Sequence, residues 1–283
     1  MSPEGSHSDA CNPVDLYVER HQPDVGVNSD ESVPSPDLTV VLCHGFGGSA
    51  RNFRPQIRLS ERNTRFVLYD IRGHARSDKP RSADAYSLQC LVEDMSRVVA
   101  SHATGKLIVG GLSLGAAIAL DYALQYPQAV SGLLLAAYPA EPTHLRPWAV
   151  RFSEEIAQYG IERAGEEFVW GGTSRFDATA QRLIKAGFLE HAPWALSALL
   201  TQCLARLEDL ESRSDLLQEL RQPTRIVVGG ADTGSIGPCQ TLARLIPNAT
   251  LTVLEGAGHV ANLERALEFN EELRKLIYQV EAG

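Results

Sequence analysis

No apolar run in this 283-residue chain approaches the length of a membrane-spanning helix. The stretch from Met1 to about Asp37 is rich in Ser, Pro and Asp and lacks the apolar core of a secretory leader. Its five cysteines (Cys11, Cys43, Cys90, Cys203, Cys239) contain no C-x-x-C pair and no metal-ligand spacing, so no metal centre is expected. An odd cysteine count in a chain of this size fits a reducing compartment, and the expected location is the cytoplasm. Positive charge is in deficit: 26 Lys and Arg face 35 Asp and Glu, a formal net charge of −9. That balance disfavours nucleic acid and anionic membranes as partners. There is no internal repeat. What remains is ordinary globular composition, 44% hydrophobic and 22% charged, long enough to bury a sizeable core.

Strand-like runs recur at Val14–Arg20, Leu38–Cys43, Phe66–Tyr69, Leu107–Val109, Gly132–Leu135, Arg225–Val228 and Leu251–Leu254. Most are continuous and apolar, the mark of strands covered on both faces. Helical segments separate them, at Leu88–Ser101, Leu114–Tyr126, Cys239–Leu245 and Leu263–Val280. The alternation predicts an α/β fold with a mostly parallel sheet flanked by helices. It breaks once, between Pro139 and about Pro223, where Leu196, Leu199, Leu200, Cys203, Leu204 and Leu207 keep helical spacing. The expected organisation is a flexible 1–13, a core of 14–139 and 223–283, and a helical cap over 140–222 inserted after the sixth strand. Trp148, Trp170 and Trp194 all fall in the cap, where packing anchors are the simpler reading.

Gly111-Leu112-Ser113-Leu114-Gly115 lies between a strand-like and a helix-like run. Strand, G-x-S-x-G, helix is the context of a nucleophile elbow, in which glycines two residues either side of the serine let a sharp turn close. A serine hydroxyl needs a general base, and the base needs an orienting group. Asp232 and His259 each follow the carboxyl end of a predicted strand, and the chain order Ser113, Asp232, His259 matches the order given for such sites. Glu141 is the reserve for the acid. The tetrahedral oxyanion calls for backbone donors. Leu114 N–H at the helix start is one, and Phe46 N–H in the turn Cys43–Gly48 is the other, with Gly47 as the neighbouring alternative. His44 and the charged turn Asp70–Asp78 read as hydrogen-bonded structure.

Together these motifs resemble the α/β-hydrolase superfamily over about residues 14–280. Gly111–Gly115 and Gly258-His259-Val260-Ala261-Asn262-Leu263-Glu264 are most similar to the 3-oxoadipate enol-lactonase and carboxylesterase branch. Two positions depart from the usual pattern: Ala75 and Ala116 stand where glycine is common. Ser113 argues against the aspartate-nucleophile epoxide hydrolases and dehalogenases. Val260 stands where C–C hydrolases commonly carry tryptophan. The resemblance implies a serine hydrolase acting on a small ester or lactone, with no cofactor, no metal and a small-molecule partner. C–C bond hydrolysis, a lyase step or acyl transfer by the same residues is the alternative. A non-catalytic ligand-binding protein on the same scaffold is a third. Oligomeric state stays open.

Overall fold

The computed structural model describes residues 11–22, 37–60, 64–171 and 178–283. The expected flexible segment 1–13 lies outside them up to residue 10. Among the described residues seven strands form one sheet: β1 (Val18–His21), β2 (Leu38–Cys43), β3 (Thr64–Tyr69), β4 (Lys106–Leu112), β5 (Gly132–Ala136), β6 (Thr224–Gly229) and β7 (Ala249–Leu254). Their order across the sheet is β1-β3-β2-β4-β5-β6-β7. Only β1 is antiparallel to its neighbour; β2 to β7 run parallel.

Helices α1 (Leu88–His102), α2 (Leu114–Gln125) and α7 (Thr233–Leu245) connect these strands, and α8 (Ala261–Glu264) and α9 (Ala266–Ala282) close the chain. Ser87 starts α1 by accepting the Cys90 N–H on its side chain. Alternation along the strands divides the core into two layers. Val41, Cys43, Val109, Leu133 and Leu135 face α1 and α2, while Val40, Leu42, Ile108, Leu134 and Val227 face Phe269, Leu273 and Leu276 of α9. Each such side chain contributes roughly 1.5–3 kcal/mol by leaving water. α2 is covered on nearly every side, and its alanines at 116, 117, 119 and 123 let it lie close against the sheet.

The insertion between β5 and β6 holds α3 (Pro142–Gly165, broken at Gly160), α4 (Ala178–Phe188), α5 (Pro193–Gln202) and α6 (Ser214–Gln218). It leaves the sheet after the fifth described strand, whereas the sixth was expected; residues 23–36, between β1 and β2, lie outside the described residues. Trp170 is a buried anchor and Trp148 is half-buried, but Trp194 is partly exposed beneath the Arg81 guanidinium.

The cysteines correct the sequence reading. Cys11 and Cys90 are joined by a disulfide, so only Cys43, Cys203 and Cys239 remain as thiols, all buried. Seventy-nine residues separate the pair, and no spacing rule announces it. What brings them together is residues 15–17, which bond along the 70–78 turn: Asp15 N–H to Asp78, Asp78 N–H to Asp15 and Asp70 N–H to Tyr17. For the same reason β1 starts only at Val18, four residues later than the sequence pattern suggests. A disulfide sits poorly with the expected reducing compartment. Among the described residues no helix is long and apolar enough to cross a membrane.

The 70–78 turn is structural throughout. Asp70 accepts from Ala50 N–H and from Arg76, and fully buried Arg72 forms a two-pronged pair with Asp94 while donating to the Ala85 carbonyl. Ala75 holds φ at 34°, a left-handed conformation costly for any residue with a Cβ. Its departure from glycine is therefore a local strain.

Candidate active site

β4 ends at Leu112 and α2 begins at Leu114, leaving one residue, Ser113, to make the whole reversal. Its backbone is forced to φ 55°, ψ −116°, a region that L-residues rarely occupy. A Cβ on Gly111 would lie 2.3 Å from the Gly115 carbonyl carbon, and one on Gly115 would lie 2.0 Å from the Cys43 carbonyl oxygen. Both glycines are thus required by contact as well as by turn geometry. Ser113 N–H is tied to the Ala136 carbonyl of β5 at 2.8 Å, so the strained residue is pinned from the neighbouring strand. The side chain is half-buried at the carboxyl edge of the sheet.

Asp232 and His259 come from the turns after β6 and β7. Those turns are laced together: Gly230 N–H donates to Leu254 and Ala231 N–H to Ala257, each at 2.9 Å. Gly229 leaves no room for a side chain there, since a Cβ would lie 2.2 Å from the Gly258 carbonyl oxygen. The result is a 2.7 Å contact between His259 Nδ1 and Asp232 Oδ2. A carboxylate only accepts, so Nδ1 carries the proton and Nε2 of the neutral ring is a free base. Glu264 steadies the same turn by accepting Gly258 N–H at 2.7 Å.

Protein around His259 works to lower its pKa, but the Asp232 hydrogen bond and charge, with Glu264 adding, raise it above 6.5 overall. The side chain still has 44% of its surface open, so this field is partly screened. Burial alone would raise the Asp232 carboxyl; the His259 hydrogen bond and charge reverse that and hold it below the usual range. Neutral His259 is the basic form, so kcat/KM should climb with pH through a midpoint above 6.5. Asp232→Asn should move that midpoint down and lower kcat by about 10⁴-fold. A pH profile of turnover checks both, and a wild-type midpoint no higher than that of a free imidazole would contradict the assignment.

Glu141 stands at the N-cap position of α3 without a side-chain capping bond, and burial with Asp209 and Glu211 nearby raises its pKa. The partner of His259 is Asp232. Fully buried His44 accepts Ile71 N–H on Nε2 and sits 2.8 Å from the Gly45 carbonyl through Nδ1. Gly47 N–H donates to His74 Nε2 at 3.0 Å, which removes it as an oxyanion donor. Among the described residues Phe46 N–H and Leu114 N–H are left without an acceptor. The His74 contact was not legible in the sequence beyond the presence of a histidine in a strand-following turn. Among the described residues no group of three or more His, Cys, Asp or Glu could hold a metal ion.

Residues 40–272 match the profile of the alpha/beta hydrolase family. The chain belongs to that family. Among curated relatives, this alpha/beta hydrolase is 30% identical over 237 residues to the polyketide synthase ThaQ of Burkholderia thailandensis, covering 81% of the chain but 11% of that much longer protein. A 2-(acetamidomethylene)succinate hydrolase of Mesorhizobium japonicum is 28% identical, over 79% of the chain and 82% of the relative. The enol-lactonase of Burkholderia xenovorans superposes with a TM-score of 0.78 at 19% identity, covering 95% and 98% of the two chains. At that identity the likeness is one of fold.

Proposed function

We propose that this alpha/beta hydrolase is a serine hydrolase that cleaves a small ester or enol-lactone through an acyl-enzyme. The observation that carries the proposal is Ser113, held at φ 55° between β4 and α2, on the same sheet edge as the His259–Asp232 pair. Ser113 Oγ attacks the carbonyl carbon while His259 Nε2 takes its proton. The oxyanion so formed is met by Phe46 and Leu114 N–H; in comparable sites one such donor is worth about 10²–10³ in kcat. Asp232 stabilises the imidazolium, which then returns the proton to the departing alkoxide or enolate oxygen. Water attacks the acyl-enzyme by the reverse assistance and releases the acid.

The reading of a small apolar or cyclic acyl group is supported by the aromatic cluster packed beside the oxyanion turn: Phe46 meets buried Phe152 and Phe188 edge-on, and Trp148 and Phe168 continue it. The test is labelling by a fluorophosphonate probe, followed by peptide mapping and a panel of graded esters and lactones run beside vinylogous diketones. Label should map to Ser113, with the highest kcat/KM on an ester or lactone. Label elsewhere, or preference for the C–C substrates, would overturn the proposal.

A further inference from the structure

The turn Cys43–Gly48 that offers Phe46 N–H is gripped from two sides. On the core side Gly48 N–H bonds back to Gly45 at 3.0 Å and Gly47 N–H is taken by His74, whose Nδ1 faces the Arg72 carbonyl at 3.3 Å. On the other side stands the end of α4 and the residues after it. His191 Nε2 lies 3.0 Å from the Gly48 carbonyl, so it carries the proton and donates. Its Nδ1 is buried with no partner among the described residues. The Phe188 ring presses on the turn itself: a Cβ on Gly47 would lie 2.6 Å from it. Arg51 and Glu190 pair across the same junction at 2.9 Å, an exposed contact worth little.

From this geometry we infer that residues 188–191 of the insertion hold the oxyanion turn in place, with His191 as the positioning residue for Phe46 N–H. The inference rests on the serine hydrolase reading above. His44, His74 and His191 meet edge to face in a row, with centroids 4.9 Å apart at each step. Burial lowers the pKa of all three, that of His191 to about 4, so the row is uncharged at neutral pH and His191 keeps the lone pair and proton arrangement its contact needs. His191 therefore fixes the Gly48–Ser49 peptide, Gly48 N–H in turn holds the Gly45 carbonyl, and that carbonyl shares one planar peptide with the free Phe46 N–H, which inherits the orientation. Misplacement of such a donor by about 1 Å is enough to lower a rate by about 10²-fold. No local pattern announces this contact: His191 lies in a helical insertion, far in the chain from residues 44–48.

The test compares His191→Phe, which keeps a ring but loses the donor, with His191→Gln, which restores a donor. Steady-state kinetics on p-nitrophenyl acetate and the Ki of a boronic acid that mimics the tetrahedral oxyanion are measured at a temperature where each variant is folded by circular dichroism. His191→Phe should lower kcat about 10- to 100-fold with KM changed less than threefold, and weaken the boronate in parallel. His191→Gln should recover most of both. A lowered Tm with kcat and boronate affinity unchanged would overturn the inference and leave His191 as packing. If His191→Phe does not fold, Phe188→Leu, which withdraws the ring from Gly47, should give the same kcat-selective loss; unchanged kcat there also overturns it. Failure of the wild type to turn over ester or take the fluorophosphonate label would instead remove the underlying reading.

Discussion

Ser113→Ala should lower kcat on p-nitrophenyl acetate by about 10⁴-fold or more, with little change in Tm. The loss is large because every other group acts on the bond that Ser113 makes. On the serine hydrolase reading, His259 has no serine proton to take without it, and the donors at Phe46 and Leu114 have no serine-linked tetrahedral oxyanion to meet. What survives is the small rate that binding and preorganised donors give to water. Stability should hold because the hydroxyl is half-buried and the elbow is fixed by backbone contacts, including Ser113 N–H to Ala136. Alanine keeps the Cβ that serine already places on this strained backbone, so the substitution adds no strain of its own. Stopped-assay kinetics at high enzyme concentration, with parallel thermal melts, reads both numbers. Retention of more than about 1% of kcat would refute the nucleophile assignment.

The largest stability effect is expected far from the chemistry, at the buried pair Arg72–Asp94. Arg72 has none of its surface exposed, and its Nε and Nη2 meet Asp94 at 2.5 and 2.7 Å. Asp94→Ala would leave a guanidinium in the core with only the Ala85 carbonyl as partner, at a cost of about 3–5 kcal/mol. Arg97, which also reaches Asp94, is a third exposed and adds little when freed. For a chain of this size the loss corresponds to a fall in Tm of roughly 10 °C. The double replacement Arg72→Met with Asp94→Leu removes both charges and should recover most of that loss. Urea denaturation of the wild type, the single and the double variant decides it. A single-variant loss under 1 kcal/mol would show that water reaches the pair.

How much of this was legible in the sequence depends on whether the signal was local. β2 could be read to the residue, because a strand covered on both faces leaves an unbroken apolar run. α7 was read six residues short: Gly234, Gly237 and Pro238 look like a loop, yet Pro238 lies within the helix and is buried. The single predicted helix over 263–280 is two, α8 and α9, with Arg265 at φ −130° between them. The residues placed near the sheet edge could be named because each follows a strand, and parallel strands deliver their carboxyl ends to one side. Their contacts could not be named. The choice between Phe46 and Gly47 turns on His74, the fixing of Gly48 turns on His191, and the Cys11–Cys90 bond turns on residues 15–17 lying along the 70–78 turn. Each is a long-range packing outcome, and no periodicity or motif encodes it.

The strand order has a consequence for biogenesis. β4 and β5 emerge together with the elbow, but β6 and β7, which close the far side of the sheet, are separated from β5 by the whole insertion. Until Thr224–Gly229 is synthesised, β5 stands as an open edge whose residues, Gly132 to Ala136, are apolar and wholly buried in the finished protein. A ribosome paused within the insertion would therefore display an elbow with no base and a sticky parallel edge at once. Speed through that segment, or a chaperone waiting at it, is what the topology asks of the cell that makes this chain.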